Sequence, residues 1–345
     1  MLSSASASAA SPSPSSPGIQ GLPASYSDED ENRVLCGGIV DWKKDGILLT
    51  AEQKQFYEKN GYLVVKNCVS QRDCEQFRAR FLEICNAPRG TFPNITVMRD
   101  ISWVKEDQER ELKNIYKIQD WMDDPVLFSY CKNQTIVDVL KDLMGTPESN
   151  MVAMHTMLIN KCPDNGTQSS RHPLHQDSHF MTFRPTDFIC CAWTAMQTIN
   201  RTNGCLAVVP GTHKGRIHEH SYPDWGGNVN KAHYGISDFD TSLPIRHIEM
   251  EAGDTIFFHP TLIHGSGANK SDGYRLSISC HFANGDLCKY VPPESTTPEH
   301  FREEIMTMFR AKFKKMGFDE TKKKMELTDV WRFRARPVNG SRANL

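Results

Sequence analysis

The sequence predicts a mainly β protein, a double-sheet jelly roll with flanking α-helices. Helical patterns cluster near the two ends of the 345-residue chain, whereas short β-rich runs bounded by turn residues fill its middle. No helix-length segment separates the later runs, which disfavours the right-handed β-α-β winding of parallel sheets. The chain is long enough to bury a large core, and it contains no internal repeat.

Four helices are predicted from capping signals that precede apolar residues at helical spacing. The third begins at Asp124-Pro125, and we expect it to continue unbroken to Leu143. The fourth carries an aromatic stripe that we interpret as core surface and not as a cofactor site. The capping signals are the box from Thr50 to Gln53, Ser70, Asp124-Pro125 and Thr297-Pro298, and the stripe comprises Phe301, Ile305, Phe309 and Phe313.

Six β-rich runs make up the predicted sheets. Turn residues such as Asn203-Gly204, Pro210-Gly211 and Gly253-Asp254 separate them, and glycine suits such turns because a side chain would clash. We expect Gly204, Gly211 and Gly265 to serve turns in this way. The runs cover residues 61–66, 151–160, 188–196, 205–210, 254–259 and 276–282.

The composition excludes several classes of function. The most apolar stretch, residues 188–196, is far shorter than the roughly 20 residues that a membrane-spanning helix needs. The 40 basic and 42 acidic residues give a net charge of -2 without a dominant basic run, which argues against a nucleic-acid-binding protein. No C-x-x-C motif occurs among the 11 cysteines, so we interpret them as buried, reduced thiols.

Residues 1–32 are predicted to be a disordered tail. They are rich in Ser, Ala and Pro, end in an acidic run from Asp28 to Glu31, and contain no Lys or Arg. A secretory signal needs a positive start and an apolar stretch, and a transit peptide is rich in Arg, so neither fits. Too few apolar residues are present to offset the entropy of folding. We therefore expect a single domain over residues 33–345.

Three residues predict a metal centre. His175 and Asp177 form an H-x-D motif, weak on its own, and His264 follows a later predicted strand and turn. Residues two apart in an extended segment point the same way, so His175 and Asp177 can bind one ion together. Two imidazoles and one carboxylate form the facial triad of non-haem Fe(II) oxygenases, which leaves positions for a 2-oxo acid and dioxygen.

Arg275 lies eleven residues beyond His264, on the next predicted strand. The far carboxylate of a 2-oxo dicarboxylic acid needs a fixed cation, and a guanidinium binds a carboxylate bidentately without losing its charge. Asp177 limits the type of reaction, because it fills the coordination position that related halogenases leave open for chloride. Hydroxylation is therefore favoured over halogenation.

These motifs resemble the phytanoyl-CoA dioxygenase family of Fe(II)/2-oxoglutarate oxygenases, from about Leu48 to the C-terminus. The resemblance implies a double-stranded β-helix, a cupin-like core. It also implies 2-hydroxylation of a 3-methyl-branched acyl-CoA in fatty acid α-oxidation, coupled to decarboxylation of 2-oxoglutarate to succinate. The matching segments are His175-Gln176-Asp177, Pro210 to His213, Gly253-Asp254, His264 to Gly267, Met154 to Lys161 and Cys191 to Met196.

The resemblance implies a role for individual residues. His175, Asp177 and His264 would bind iron, with no catalytic residue beyond these ligands. Fe(II), 2-oxoglutarate and dioxygen would be required, with ascorbate as a supporting reductant. For Lys117 an ordinary surface lysine is the alternative. The 2-oxoglutarate contacts would be Arg275, Ser266, Trp193, Met157, Lys117 and Gln176.

Other polar residues are weaker candidates. His179 forms H-x-x-x-H with His175, but no Glu follows His175 and Pro173 disfavours the helix that such a zinc motif needs. We interpret His172 and His213 as hydrogen-bonded structural or pocket residues. Four loop cations could bind CoA phosphates or be ordinary solvated charges: Lys214, Arg216, Lys231 and Lys270.

The targeting signals depart from the family pattern. Arg33-Val34 could open the family's N-terminal peroxisomal nonapeptide, but Val40-Asp41 cannot close it. The C-terminal Ala343-Asn344-Leu345, preceded by Arg342, resembles a degenerate Ser-Lys-Leu address. We therefore expect a peroxisomal location with an import receptor as partner, the cytoplasm being the alternative. The rival functions are hydroxylation of another small metabolite and a catalytically silent acyl-CoA- or lipid-binding protein.

Overall fold

The structure, a computed structural model, describes residues 39–100, 114–164, 166–225, 230, 233–315, 317 and 324–345. The predicted tail at residues 1–32 therefore lies outside the described residues. None of the described helices combines the length and the apolar character that crossing a bilayer requires. The described helices are α1 (Ala51–Asn60), α2 (Gln71–Asn86), α3 (Pro125–Phe128), α4 (Gln134–Met144), α5 (Glu299–Lys315) and α6 (Leu327–Arg334).

All strand pairs within the described part of the chain are antiparallel, as the absence of intervening helices predicts. The strands are β1 (Tyr62–Val65), β2 (Thr96–Arg99), β3 (Ile115–Gln119), β4 (Met151–Lys161), β5 (His172–His175), β6 (Phe183–Arg184), β7 (Ile189–Ala195), β8 (Leu206–Val208), β9 (His220–Ser221), β10 (Gly235–Ile236), β11 (Arg246–Ile248), β12 (Thr255–Phe258), β13 (His264–Ser266), β14 (Arg275–Asn284), β15 (Lys289–Tyr290) and β16 (Arg336–Pro337).

The larger sheet has the strand order β1-β12-β7-β14-β4-β3-β2, with β16 beside β4. Its outer face packs against α1, α2 and α4 in the main core, to which Cys190 and Ala192 of β7 belong. The alternate residues Cys191 and Trp193 belong to a second core on the inner face. Because both faces are covered, β7 is buried at every position, which explains why residues 188–196 form the most apolar stretch of the sequence.

The smaller sheet has the order β11-β8-β13-β5. Its strand β8 contributes Leu206 and Val208 to the second core, where they meet Trp193, Ile256 and Phe258 from the larger sheet. The two sheets therefore face each other across an apolar layer. This arrangement is the predicted jelly roll.

Two of the three glycine predictions are confirmed. Gly204 and Gly211 have positive φ angles of 82°, which favour glycine in a turn. Gly265 instead lies within β13, where a Cβ atom would approach the carbonyl oxygen of His172 to 2.8 Å. The close approach of β13 to β5, and not a turn, is what requires glycine at this position.

The helix predictions are confirmed except for the third helix. The Thr50 capping box and the Ser70 cap begin α1 and α2. The segment predicted as one helix from Pro125 to Leu143 is instead divided into α3 and α4. The physical reason is Asn133, whose non-helical backbone interrupts the segment and whose side chain accepts a hydrogen bond from the Ile136 N–H, so that α4 begins with a cap of its own.

The cysteine prediction is confirmed for the part of the chain that the structure describes. All ten cysteines there are buried and none forms a disulfide. Burial raises the pKa of Cys68, Cys190 and Cys288 to about 12, so these thiols stay protonated near neutral pH and unreactive.

Candidate active site

The three predicted metal ligands come together. His175 ends β5 and His264 begins β13, and the two are directly opposite each other in the smaller sheet. Gln176 is extended, with φ of -124° and ψ of 126°, and Asp177 begins a 3-10 turn. One ligand atom from each of His175, Asp177 and His264 lies within 4.8 Å of the others. Two nitrogens and one carboxylate oxygen at this spacing fit the facial triad of Fe(II).

Backbone carbonyls select the tautomer of both histidines. The Nδ1 atom of His175 lies 2.8 Å from the carbonyl oxygen of Pro173, and Nδ1 of His264 lies 3.0 Å from that of Leu262. A carbonyl can only accept, so each Nδ1 donates its proton and leaves the Nε2 lone pair for a metal. Burial, with His175 nearby, lowers the pKa of His264 to about 4, which keeps this ligand neutral near pH 7.

Asp177 is held by a histidine that is not among the predicted ligands. His281, on β14, donates from Nε2 to Asp177 Oδ2 over 2.8 Å, and His175 Nε2 lies 3.3 Å from Asp177 Oδ1. Burial by itself would raise the pKa of Asp177, but His264 and His281 outweigh burial and hold that pKa well below its usual range. The carboxylate is therefore ionised, as a metal ligand must be.

The side chain of Gln176 is committed to backbone partners. Its side chain is fully buried, and its Nε2 donates to the carbonyls of Arg216 (3.0 Å) and Thr261 (2.9 Å). Its Oε1 accepts from the His218 N–H over 2.8 Å. These backbone contacts fix the segment between the two ligands, and Gln176 is not among the residues that line the cavity described below. Contact of Gln176 with 2-oxoglutarate stays a prediction.

A cavity with ≈ 1450 Å³ of empty space, part of it open to solvent, contains the triad. Arg275 and His281 both line it from β14, six residues apart, which corresponds to about 20 Å of extended strand. Two groups of side chains therefore lie at different ends. The cationic end comprises Lys161, Trp193, Ser266 and Arg275, and the apolar end comprises Phe180, Ile305, Met308, Phe309, Leu327 and Trp331.

Arg275 is a fully buried cation with hydrogen-bonding capacity left over. Its Nη1 donates to Ser277 Oγ over 2.9 Å and its Nη2 to the Gly204 carbonyl over 3.1 Å. Its guanidinium lies 5.2 Å from the centre of the Trp193 ring, and its buried Nε has no hydrogen-bond partner. Burial lowers the pKa of Arg275 to about 10, so it remains charged and fits a carboxylate ligand.

The other predicted cosubstrate contacts face the same cavity. Ser266, Trp193, Met157 and Lys117 all line it. Lys117, on β3, is half-buried in the cavity wall, so it is not an ordinary surface lysine. Burial, followed by the charge of Arg334, lowers the pKa of Lys117 to about 8. Contact of these four residues with 2-oxoglutarate stays a prediction.

The weaker histidine candidates lie outside the triad. His179 is buried, contacts the Gln176 carbonyl through Nδ1 and stacks on His220 at 3.8 Å. His172 lines the cavity and stacks on His175 at 4.0 Å between ring centres. His213 lies 2.9 Å from the Glu58 carbonyl through Nε2. These positions agree with structural or pocket roles.

Two of the loop cations already have acidic partners. Lys214 lies 2.9 Å from Glu58, and Arg216 lies 2.6 Å from Asp238. Lys231 lies outside the described residues. The ion pairs of Lys214 and Arg216 favour the interpretation as ordinary surface charges over contacts with CoA phosphates.

Sequence reasoning missed several residues of the cavity. His281 could have been found, because it follows Arg275 by an even number of positions on one strand and therefore faces the same side. Ile305 and Phe309 belong to the stripe interpreted as core surface alone, but they also line the cavity, so that interpretation was too narrow. Lys161 was quoted only as part of a matching segment, although its side chain lines the cavity beside Ser266.

Comparisons with known proteins agree with this site. The family described as phytanoyl-CoA dioxygenase (PhyH) matches residues 57–277. A probable phytanoyl-CoA dioxygenase of Caenorhabditis elegans is 57% identical over 312 residues, which cover 90% of this chain and 100% of that protein. The peroxisomal phytanoyl-CoA dioxygenase of Homo sapiens is 48% identical over 304 residues, which cover 87% of this chain and 86% of that protein.

A solved structure supports the fold. EctD from S. alaskensis with 2-oxoglutarate and 5-hydroxyectoine has a TM-score of 0.53 at 16% identity, over 72% of this chain and 80% of that chain. At this identity the likeness concerns the fold alone. The family match, the close relatives and the His-Asp-His triad lead to one conclusion: the chain belongs to the phytanoyl-CoA dioxygenase family and is an Fe(II)- and 2-oxoglutarate-dependent dioxygenase.

Proposed function

We propose that this protein hydroxylates C2 of a 3-methyl-branched fatty acyl-CoA, as in fatty acid α-oxidation. The reaction is coupled to oxidative decarboxylation of 2-oxoglutarate to succinate and CO2. The supporting observation is that the triad, the cationic end and the apolar end all belong to the same cavity. The cationic end suits a dicarboxylic acid and the apolar end suits an acyl chain, and the names of the C. elegans and human relatives support this substrate class.

In this proposal His175, Asp177 and His264 would hold Fe(II), which would activate dioxygen, the oxidant for both C–H hydroxylation and 2-oxoglutarate decarboxylation. Arg275 binds the distal carboxylate of 2-oxoglutarate through its unpartnered Nε edge. The Trp193 ring covers the guanidinium and excludes water, which strengthens the ion pair. Ascorbate is a supporting reductant.

Helix α5 forms much of the apolar end. Ile305, Met308 and Phe309 lie three and four positions apart and therefore share one face of the helix, and all three line the cavity. Trp331 from α6 lies beside them and contacts His155, with 5.8 Å between ring centres. Burying an acyl chain against these side chains contributes about 25 cal/mol per Å² of apolar surface.

Two rival functions are separable by experiment. A silent acyl-CoA- or lipid-binding protein needs neither a three-ligand centre nor a buried cation with an unpartnered Nε. Anaerobic titration with Fe(II) and 2-oxoglutarate should give a visible charge-transfer band in a dioxygenase and none in a silent binder. A hydroxylase of another small metabolite would show the band but would release no succinate in response to acyl-CoA.

The decisive experiment measures succinate release against a panel of acyl-CoA thioesters. We expect a 3-methyl-branched long-chain acyl-CoA to stimulate release and the matching free acid to be ineffective. Met308→Trp narrows the apolar end and should lower turnover of long chains at least about tenfold relative to short chains. Leu82→Trp, on the exposed part of α2, is the control. An unchanged chain-length profile in Met308→Trp would contradict the assignment of the acyl site.

We also propose a peroxisomal location, with the cytoplasm as the alternative. The human relative is named peroxisomal. The C-terminal tripeptide is packed against the protein: Leu345 is only 8% exposed, and the Asn344 N–H donates to the Gly285 carbonyl over 2.9 Å. An import receptor could read Ala343-Asn344-Leu345 only after the tail detaches, so the location of a full-length fusion should be compared with that of a chain lacking these three residues.

A further inference from the structure

A second buried cation lies directly opposite Arg275. Lys161 is its partner residue across the β4–β14 pair, and the two residues are 5% and 2% exposed. Like charges directly opposite each other destabilise a sheet, and the cost grows when they are buried. Within the described residues neither side chain forms an ion pair, since all their hydrogen-bond acceptors are hydroxyls or carbonyls. This end of the cavity is therefore built for an anion.

Lys161 acts on the Ser266 hydroxyl. Its Nζ donates to Ser266 Oγ over 2.9 Å, to the Gly267 carbonyl over 2.8 Å, and to the Ser170 carbonyl. An ammonium has three N–H groups, and these three acceptors use all of them. Because Ser266 Oγ accepts from Lys161, its own hydrogen is left to donate into the cavity that Ser266 lines.

We propose that Lys161 is a positioning residue for 2-oxoglutarate, which turns the Ser266 hydroxyl hydrogen toward the distal carboxylate bound by Arg275 and adds a second positive charge beside it. Arg275 and Ser266 touch the carboxylate, and Lys161 works through Ser266. Burial and the charge of Arg275 lower the pKa of Lys161 well below its usual value, and a carboxylate in the pocket opposes that shift. The inference requires 2-oxoglutarate as cosubstrate but does not depend on the acyl-CoA substrate.

The test compares two acids in Lys161→Met. 2-Oxoglutarate has a distal carboxylate, whereas 2-oxopentanoate has the same number of carbons without it. Binding to the anaerobic Fe(II) protein is followed by calorimetry and by the charge-transfer band, so the readout does not need turnover. We expect 2-oxoglutarate to bind about 10- to 150-fold more weakly, the range of a lost charge-assisted hydrogen bond, and 2-oxopentanoate to bind within about twofold of the parent. An equal loss of affinity for both acids, or no loss of affinity for either acid, overturns the proposal.

Further variants separate positioning from a structural role. Lys161→Arg keeps the charge and should recover part of the selectivity. Ser266→Ala should lose the same selectivity, and adding Lys161→Met to it should cost little more, because the two residues act as one unit. Full additivity of the two changes contradicts action through Ser266. If Lys161→Met does not fold, Lys161→Gln keeps donors for the carbonyls and must show the same selective loss.

Lys54 offers a matched control. It is also 5% exposed, and its Nζ donates to the carbonyls of Asp41 (2.7 Å) and Lys44 (3.1 Å). It lies on α1 and is not among the residues that line the cavity. Lys54→Met breaks the hydrogen bonds of a buried lysine with two backbone carbonyls but changes no residue that lines the cavity. Both acids should therefore bind to this variant as they do to the parent. A selective loss of affinity for 2-oxoglutarate in Lys54→Met would show that the assay reports general destabilisation.

Discussion

At the scale of single residues, the site is organised by hydrogen bonds that leave one defined atom of each ligand free. Nδ1 of His175 and of His264 is committed to a backbone carbonyl, and Asp177 Oδ2 accepts from His281. The atoms that these hydrogen bonds leave available to a metal ion are Nε2 of each histidine and Oδ1 of Asp177. Such outer contacts raise metal affinity because the ligands need no reorganisation when the ion binds.

Removing the carboxylate tests this arrangement. Asp177→Ala opens a coordination position without adding bulk, and we expect succinate production to fall at least about 100-fold, since each outer-shell contact alone is worth about 10- to 100-fold. Fe(II) affinity should fall with it, while the unfolding temperature changes little because the apolar cores do not include this residue. Near-normal succinate production would show that Asp177 is not the carboxylate ligand.

Asp187 provides the control for this change. It also lies near a histidine, 3.3 Å from His259 Nε2, but it does not line the cavity. Asp187→Ala therefore breaks a histidine–carboxylate contact outside the triad. Its turnover and Fe(II) affinity should match those of the parent.

At the scale of elements, the C-terminal helices are joined to the larger sheet by a buried ionic cluster. Asp120, directly after β3, is fully buried and contacts Lys312 of α5 over 2.9 Å and Arg334 of α6 over 2.7 Å. Lys312 and Arg334 together hold the pKa of Asp120 below its usual value, although burial acts in the opposite direction. The cluster fixes the two helices that provide the apolar end of the cavity.

Neutralising that carboxylate should loosen both helices. Asp120→Asn keeps a residue that tolerates the positive φ of 64° but removes the counter-charge of the buried Arg334 and of the half-buried Lys312. We expect the free energy of unfolding, measured in urea, to fall by about 3–5 kcal/mol. Asp123→Asn is the control, because the side chains of Asp123 and Arg336 are 43% and 30% exposed, and such pairs contribute about 1 kcal/mol or less. Equal losses in the two variants would contradict the structural role of the cluster.

At the scale of the whole molecule, a near-neutral chain encloses a cationic cavity. The net charge is only -2, yet four cations line the cavity against the single carboxylate of Asp177: Lys117, Lys161, Arg275 and Arg334. Field lines focused in such a pocket attract a dianionic cosubstrate. The same concentration of charge opposes folding, because Lys117, Lys161 and Arg275 lose hydration without an ion-pair partner among the described residues, whereas Arg334 is paired with Asp120.

The pH dependence of stability should reveal this cost. The pKa of Lys117 is about 8 in the folded protein and near 10.5 when unfolded. Below pH 8 both states hold the proton, and the cost of the buried charge is fully present. Between pH 8 and 10.5 the folded state releases the proton while the unfolded state keeps it, so the contribution of Lys117 to stability rises with pH.

Urea unfolding of the parent and of Lys117→Met at pH 7.5, 8.5 and 9.5 measures this contribution. The stability of the parent relative to the variant should increase at each step. Lys44→Met, whose lysine side chain is 80% exposed, should show a constant difference. A constant difference for Lys117→Met as well would mean that Lys117 keeps its ordinary pKa.

The sequence by itself determined the β core, the outer helices and the chemistry of the metal centre. The continuous apolar run of β7, the capping box of α1 and the apolar pattern of α2 at helical spacing are all local, so these elements could be placed from neighbouring residues alone. The H-x-D motif succeeded for the same reason, since the extended Gln176 makes His175 and Asp177 face one side. His264 and Arg275 were reached through their spacing and through the resemblance to a known family.

Only the tertiary structure decided which distant residues complete the site. Lys161 is important because β4 pairs with β14, which places it opposite Arg275, and no local pattern encodes that pairing. The apolar stripe of α5 could be predicted as buried, but not that it faces the cavity, because burial against a core and burial against a substrate pocket require the same side chains. Gln176 shows the converse: its neighbours in sequence are ligands, yet long-range backbone acceptors turn its amide away from them.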